Sequence, residues 1–101
     1  MVEKLDPEYD SQIKSLKLEL LRTQRYLAQY ALVYAHNDCQ ERLLRSGRDV
    51  NKSLSRQMQT EATADTAKIR TSLDPLSISR SFADKWYDKL NELGIKLVSF
   101  S

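Results

Sequence analysis

Only two glycines and two prolines punctuate these 101 residues, and that shortage of turn formers constrains the fold more than any other feature. Glycine and proline are the residues that most readily stop a helix or close a tight turn. A chain this poor in both is expected to run in long helices. Hydrophobic residues make up 41% and charged residues 30%, so there is enough apolar surface for a packed core, and disorder is disfavoured. At this length the chain is one small domain whose core is limited when it folds alone, a shortage that pairing with a second copy would relieve.

The first helix is signalled by Asp6-Pro7-Glu8: an N-cap acceptor, a proline tolerated at the first helical position, and an acid at the positive end of the dipole. With Ile13 as an a position, Leu16, Leu20, Leu27, Tyr30 and Tyr34 fall at successive a and d places, interrupted only by Thr23. These six residues are the expected oligomer interface. Leu18, Leu21, Tyr26 and Val33 lie outside the seam and broaden the apolar surface, which suits a bundle of several helices.

After Tyr34 the seam fades through His36, Asn37 and Asp38, and Asp38 with Glu41 has the spacing of a capping box. A hairpin turn near Asn37 is the preferred reading; the alternative is a turn at Ser46-Gly47-Arg48. On the first, one helix continues from about Cys39 to Ser72 until Asp74-Pro75 starts a shorter third helix, in which Phe82, Trp86, Leu90 and Leu93 recur at helical spacing before Gly94. The expected fold is all-α, with a long helical hairpin over 1–73, a short third helix over 74–94, and a tail over 95–101 that is either a short strand or frayed. A homodimer forming a four-helix bundle or coiled coil is the expected assembly.

The stretch ERLLRSGRDVNKSLSRQM is the main functional signal. At about 100° per residue, Arg42, Arg45, Arg48, Lys52 and Arg56 share an arc of roughly 120°, interrupted only by Asp49. Leu43, Val50, Leu54, Met58, Ala62 and Ile69 take the other side, with Gly47 in the same stripe. Gln59, Thr63, Thr66 and Arg70 extend the basic arc, and from Arg42 to Arg70 an unbroken helix would rise about 42 Å. Arginine, serine, threonine and glutamine hold phosphate and ribose oxygens, and a rigid helix lying over double-stranded RNA reads shape because the A-form major groove is too narrow to enter. The competing reading is a solvated face paired with acids on neighbouring helices, each pair contributing at most about 1 kcal/mol. Residues 42 to 56 carry five cations and one anion, which weighs against it.

The basic, hydroxyl-rich run RLLRSGRDVNKSLSRQMQT, ending in TSLDP before a short third helix, resembles the nodavirus proteins that suppress RNA silencing. The resemblance is one of layout and covers residues 7 to 93. It implies a non-enzymatic chain of two long antiparallel helices and a short third, dimerising into a four-helix bundle that lies along double-stranded RNA and shields it. It also implies phosphate contacts from Arg42, Arg45, Lys52 and Arg56, with Ser53 and Thr60 at the edge of the face as ribose or phosphate partners. An adaptor or scaffold subunit that binds other coiled-coil proteins is the alternative on the same chassis.

Other signals favour structure. His36 and Cys39 could share a helical face, but the chain has no second histidine or cysteine, so neither a metal site, a cofactor nor a catalytic dyad is expected, and no small-molecule substrate. Cys39 can form no internal disulfide, which points to a reducing compartment. Tyr26, Tyr30 and Tyr34 could stack on bases, but two of them sit in the seam. Trp86 is expected in the core with Phe82 and Leu90. Asn51-Lys52-Ser53 matches a glycosylation sequon that stays idle without a secretory signal. No stretch of about 18 apolar residues appears, the start MVEKLDPEYD lacks a signal-peptide core, and the basic helix has no aromatic anchors for a membrane surface. The expected location is the cytoplasm.

Overall fold

A computed structural model describes residues 7–46 and 50–95. The described chain is all-α, with three helices and no strand: α1 spans Pro7–Arg45, α2 Val50–Thr71 and α3 Pro75–Glu92. Glu8 and Asp10 lie in the first turn of α1 and Arg42 and Arg45 in its last, so charge complements the helix dipole at both ends.

α1 does not stop at His36-Asn37-Asp38, so the preferred turn site near Asn37 and the unbroken helix from Cys39 to Ser72 are both overturned. The helix runs on for two more turns because the apolar ladder that binds it to its neighbours, Ala28, Leu32, Ala35, Cys39 and Leu43, continues straight through the polar triplet. Asp38 is not a cap: its carboxylate accepts from Arg42 one turn on and from the Tyr87 hydroxyl of α3. α1 ends at Arg45, and the Ser46 hydroxyl that follows donates to the Leu43 carbonyl in the last turn. Gly47, Arg48 and Asp49 lie outside the described residues.

α2 returns antiparallel along the C-terminal half of α1. Asn51 Nδ2 donates to the Leu43 carbonyl at 2.9 Å, Gln40 Nε2 to Ser55 Oγ at 3.3 Å, and Arg25 Nε to the Ser72 carbonyl at 3.0 Å, so rising positions on α2 meet falling positions on α1. α3 closes the third side. Its Pro75 occupies the first turn, where no N–H is needed, and Phe82, Trp86 and Leu90 bury against Met58, Ala62 and Ile69 of α2 and the α1 ladder. At its end Ile95 N–H bonds the Leu90 carbonyl and Gly94 N–H the Asn91 carbonyl, with Gly94 at φ +73°, the Schellman arrangement that favours glycine. Of the 95–101 tail only Ile95 is described, and it packs against the core.

The expected seam is not this core. From residue 8 to residue 27 no position on α1 is buried, and Leu16, Leu20, Leu27, Tyr30 and Tyr34 are all exposed, with Ile13 half-buried. The N-terminal half of α1 therefore extends as an arm past the point where α2 ends beside Arg25.

Two half-buried carboxylates dock α3. Trp86 Nε1 and Lys85 Nζ both donate to Glu61 of α2, and the ammonium lies 5.7 Å from the indole centroid. Burial raises the affinity of Asp38 and Glu61 for a proton. The hydrogen bonds from Arg42 and Tyr87 to Asp38, and from Lys85 and Trp86 to Glu61, outweigh burial and hold both carboxyls below the usual range. Because the folded values lie under the unfolded ones, about 3.9 and 4.3, this stability is complete at neutral pH. It is lost as pH falls through the carboxylate range and on through the lower folded values. Thermal unfolding followed from pH 7 to pH 3 should show a falling midpoint, and Asp38→Asn with Glu61→Gln should lower the neutral-pH midpoint and flatten that fall.

Candidate nucleic-acid interface

The basic arc of the sequence divides at the helix break. On α1, Arg42 Nε lies 2.9 Å from Asp38 Oδ1, with only 15% of its side chain exposed, and Arg45 pairs with Glu41. Both cations are neutralised by acids one turn earlier, and Asp38 ties that side of α1 to α3 through Tyr87. On α2, Lys52, Arg56, Gln59, Thr63 and Arg70 form an exposed row with half-buried Thr66, while Ser53 and Thr60 are exposed on its outer margin. The eleven positions singled out from the sequence thus do not make one face: Arg42 and Arg45 belong to a paired surface, Arg48 lies outside the described residues, and the α2 row stands by itself. Its length from Lys52 to Arg70 is about 27 Å at 1.5 Å per residue, in place of about 42 Å.

That row is completed by residues of α1 that lie outside the basic arc read from the sequence. Val33 and His36 of α1 line a groove with Gln59, Thr63, Thr66 and Arg70 of α2, over a floor of Leu32 and Ala62. Further along, Arg22, Arg25, Tyr26 and Gln29 surround a recess with Arg70. Arg22, Gln29, Val33 and His36 recur at spacings of seven, four and three, a detectable helical stripe, but one that means nothing until it is known which side of α1 meets α2. The two half-buried carboxylates, Asp38 and Glu61, face α3, and the groove opens on the hairpin's other face.

The groove face therefore has an unusual sign balance. Among the described residues no carboxylate lies within ion-pair distance of Arg22, Lys52, Arg56 or Arg70, whereas Lys14, Lys68, Lys85 and Lys89 elsewhere each have one. Arg25 is partly committed, its Nε satisfying the Ser72 carbonyl just past the C-terminus of α2, where a cation also meets the negative end of the dipole. Thr63 donates its hydroxyl proton to the Gln59 carbonyl at 3.0 Å and Thr66 to the Ala62 carbonyl at 2.7 Å. With the proton used inside the helix, each hydroxyl presents lone pairs outward and acts as an acceptor.

Cys39 is fully buried, and burial, with the Asp38 carboxylate second, pushes its thiol up to about 12, so at neutral pH it carries no thiolate. His36 Nδ1 lies 3.3 Å from Asn37 Oδ1, and its Nε2 is buried without a partner beside the groove floor. No cluster of three or more histidine, cysteine or acidic side chains suited to a metal occurs among the described residues. No described helix is long and apolar enough to cross a membrane. No protein-family model matches the chain, and neither a curated protein nor a solved structure matches it significantly.

The two classes of cation separate in a stability measurement. Arg42→Glu sets two carboxylates side by side and removes a charge-assisted hydrogen bond, so urea unfolding should show a loss of about 1–3 kcal/mol. Arg56→Glu, with no partner to lose, should stay within about 0.5 kcal/mol of the parent.

Proposed function

We propose that this chain is a non-enzymatic helical protein that binds double-stranded RNA, through the α1/α2 groove face and without regard to sequence. The observation that carries the reading is the acid-free row Lys52, Arg56, Gln59, Thr63, Thr66 and Arg70, walled by Arg22, Arg25 and His36 of α1, in a chain whose acids and bases are otherwise interspersed. Neutralising a row of phosphates releases counterions and gives an affinity that falls steeply with salt. Two helices lying side by side about 10 Å apart are too broad to enter a groove, so the contacts fall on backbone and sugar.

The outward lone pairs of Thr63 and Thr66 favour RNA over DNA. A phosphate oxygen offers no proton to an acceptor, whereas a ribose 2′-hydroxyl does. Cations and the Gln59 amide would meet phosphates, and the two threonines would accept from 2′-hydroxyls. Binding of this kind sequesters the duplex without chemistry; suppression of RNA silencing by that route is what the nodavirus resemblance adds. A second reading, an adaptor that binds other helical proteins, is favoured by the exposed apolar side of α1 and makes no use of the basic face.

A filter-binding titration with RNA and DNA duplexes of matched sequence at two salt concentrations separates them. Duplex RNA should bind better than duplex DNA, with an affinity that drops as salt rises and does not change when the sequence is scrambled. Arg56→Glu with Arg70→Glu should lower RNA affinity at least tenfold while circular dichroism stays unchanged, and Thr63→Val with Thr66→Val should narrow the gap between RNA and DNA. Equal, negligible binding of both duplexes by the folded parent chain would leave the adaptor reading standing.

A further inference from the structure

The exposed side of α1 is too large and too ordered in its spacing to be left wet. Leu16, Leu20, Leu27, Tyr30 and Tyr34 are 64%, 59%, 51%, 68% and 62% exposed, and they follow one another at heptad spacing along a single stripe. Together they leave uncovered several hundred Å² of side chain, on the order of the 800 Å² that each partner contributes to a stable protein interface. Among the described residues, no position of the arm that bears Leu16 and Leu20 is buried by the rest of the chain. A lone helical segment of that length is marginal in water, so whatever covers the stripe also holds the arm.

We infer that the occupant is a second copy of this chain, with the two α1 helices antiparallel and the two-fold axis crossing near Arg25. The stripe is self-complementary. In an antiparallel pair of helices an a position of one faces a d position of the other. Setting Leu20 against the partner's Tyr30 then places Leu16 against the partner's Tyr34 and Thr23 against the partner's Leu27, and the two-fold repeats all three. Each leucine of the arm meets a tyrosine of the body, large against smaller, and all five exposed side chains are used. A parallel pair would instead stack tyrosine on tyrosine and leave two arms projecting together from one end, covered only by each other. Antiparallel pairing lays each arm along the part of the partner's α1 that α2 and α3 already brace from behind.

The same operator decides where the basic faces go. The two-fold is perpendicular to the plane of the paired helices, so a face lateral to the seam appears on the same side of the dimer in both copies. The groove wall lies about a third of a turn from the seam, and both grooves therefore open to one side, with both α3 helices on the other. That consequence, a doubled surface for one duplex, rests on the duplex-binding reading; the pairing does not.

Disulfide trapping tests the register directly. Leu20 and Tyr30 are exposed, and Cys39 is buried, so the parent chain serves as the uncross-linked control. Under air oxidation the double variant Leu20→Cys/Tyr30→Cys should run as a covalent dimer on a non-reducing gel. Either single variant should remain a single chain, because its own counterpart lies ten residues, about 15 Å, along the helix and beyond disulfide reach. The parent should sediment at twice the chain mass. A parent that sediments as a folded single chain at about 100 µM overturns the proposal, and so does Leu20→Cys linking to itself as fast as the double variant links. Neither reading involves RNA, so a failure of duplex binding would leave this result untouched.

Discussion

The structure depends on what Asp38 does with its carboxylate. In an exposed polar triplet an aspartate three residues before a glutamate stops a helix by capping the next one. Here Arg42 and the Tyr87 hydroxyl reach the carboxylate first, at 2.9 and 2.8 Å. One pair of hydrogen bonds thereby keeps α1 helical to Arg45, fixes α3 against it, and removes Arg42 from the pool of cations open to a ligand. Glu61 does the corresponding work on α2, where Lys85 and Trp86 hold it toward α3. Two carboxylates drawn to one face leave the opposite face of the hairpin basic.

Much of the fold is legible in the chain before any coordinates, and the failures have a common cause. The helix starts at Pro7 and Pro75 and the glycine end of α3 are local events, decided by sterics and hydrogen bonds within a few residues, and the core role of Trp86 is readable from its helical spacing with Phe82 and Leu90. The hairpin turn is decided by competition between two local signals. The capping pattern at Asp38 loses because a partner 49 residues away claims the carboxylate, and no local pattern records that. The ladder Ala28, Leu32, Ala35, Cys39 and Leu43 is the continuous one, but its small residues read weakly beside the larger leucines and tyrosines of the seam.

The same competition explains why only part of the basic row follows from spacing alone. Lys52, Arg56, Gln59, Thr63 and Arg70 share one helix, so helical periodicity alone puts them in a row. Arg42 and Arg45 join that row only if no turn intervenes. Arg22, Arg25, Gln29 and His36 come to it through the packing of α2 on α1, where side chains far apart in sequence are brought to one groove. Periodicity within a helix is readable from spacing, whereas the angular phase between two helices depends on which stripe each buries.

The contrast between the two stripes of α1 bears on how this protein holds together. The inner ladder is built from alanine, cysteine and leucine, which allow the backbones of α2 and α3 to approach closely but bury little area per residue. The outer stripe carries the tyrosines and the bulkier share of the leucines, and so the larger part of the hydrophobic free energy available to α1, at about 25 cal/mol per Å². While that stripe faces water, the arm from Glu8 to Gln24 is held mainly by intrahelical hydrogen bonds, with cooperative support arriving only from the packed turns beyond Ala28. On the proposed pairing, the same burial that joins two copies also completes the helix that bears one wall of each basic groove, so folding of the arm, assembly and the presentation of Arg22 become a single linked equilibrium whose position depends on chain concentration.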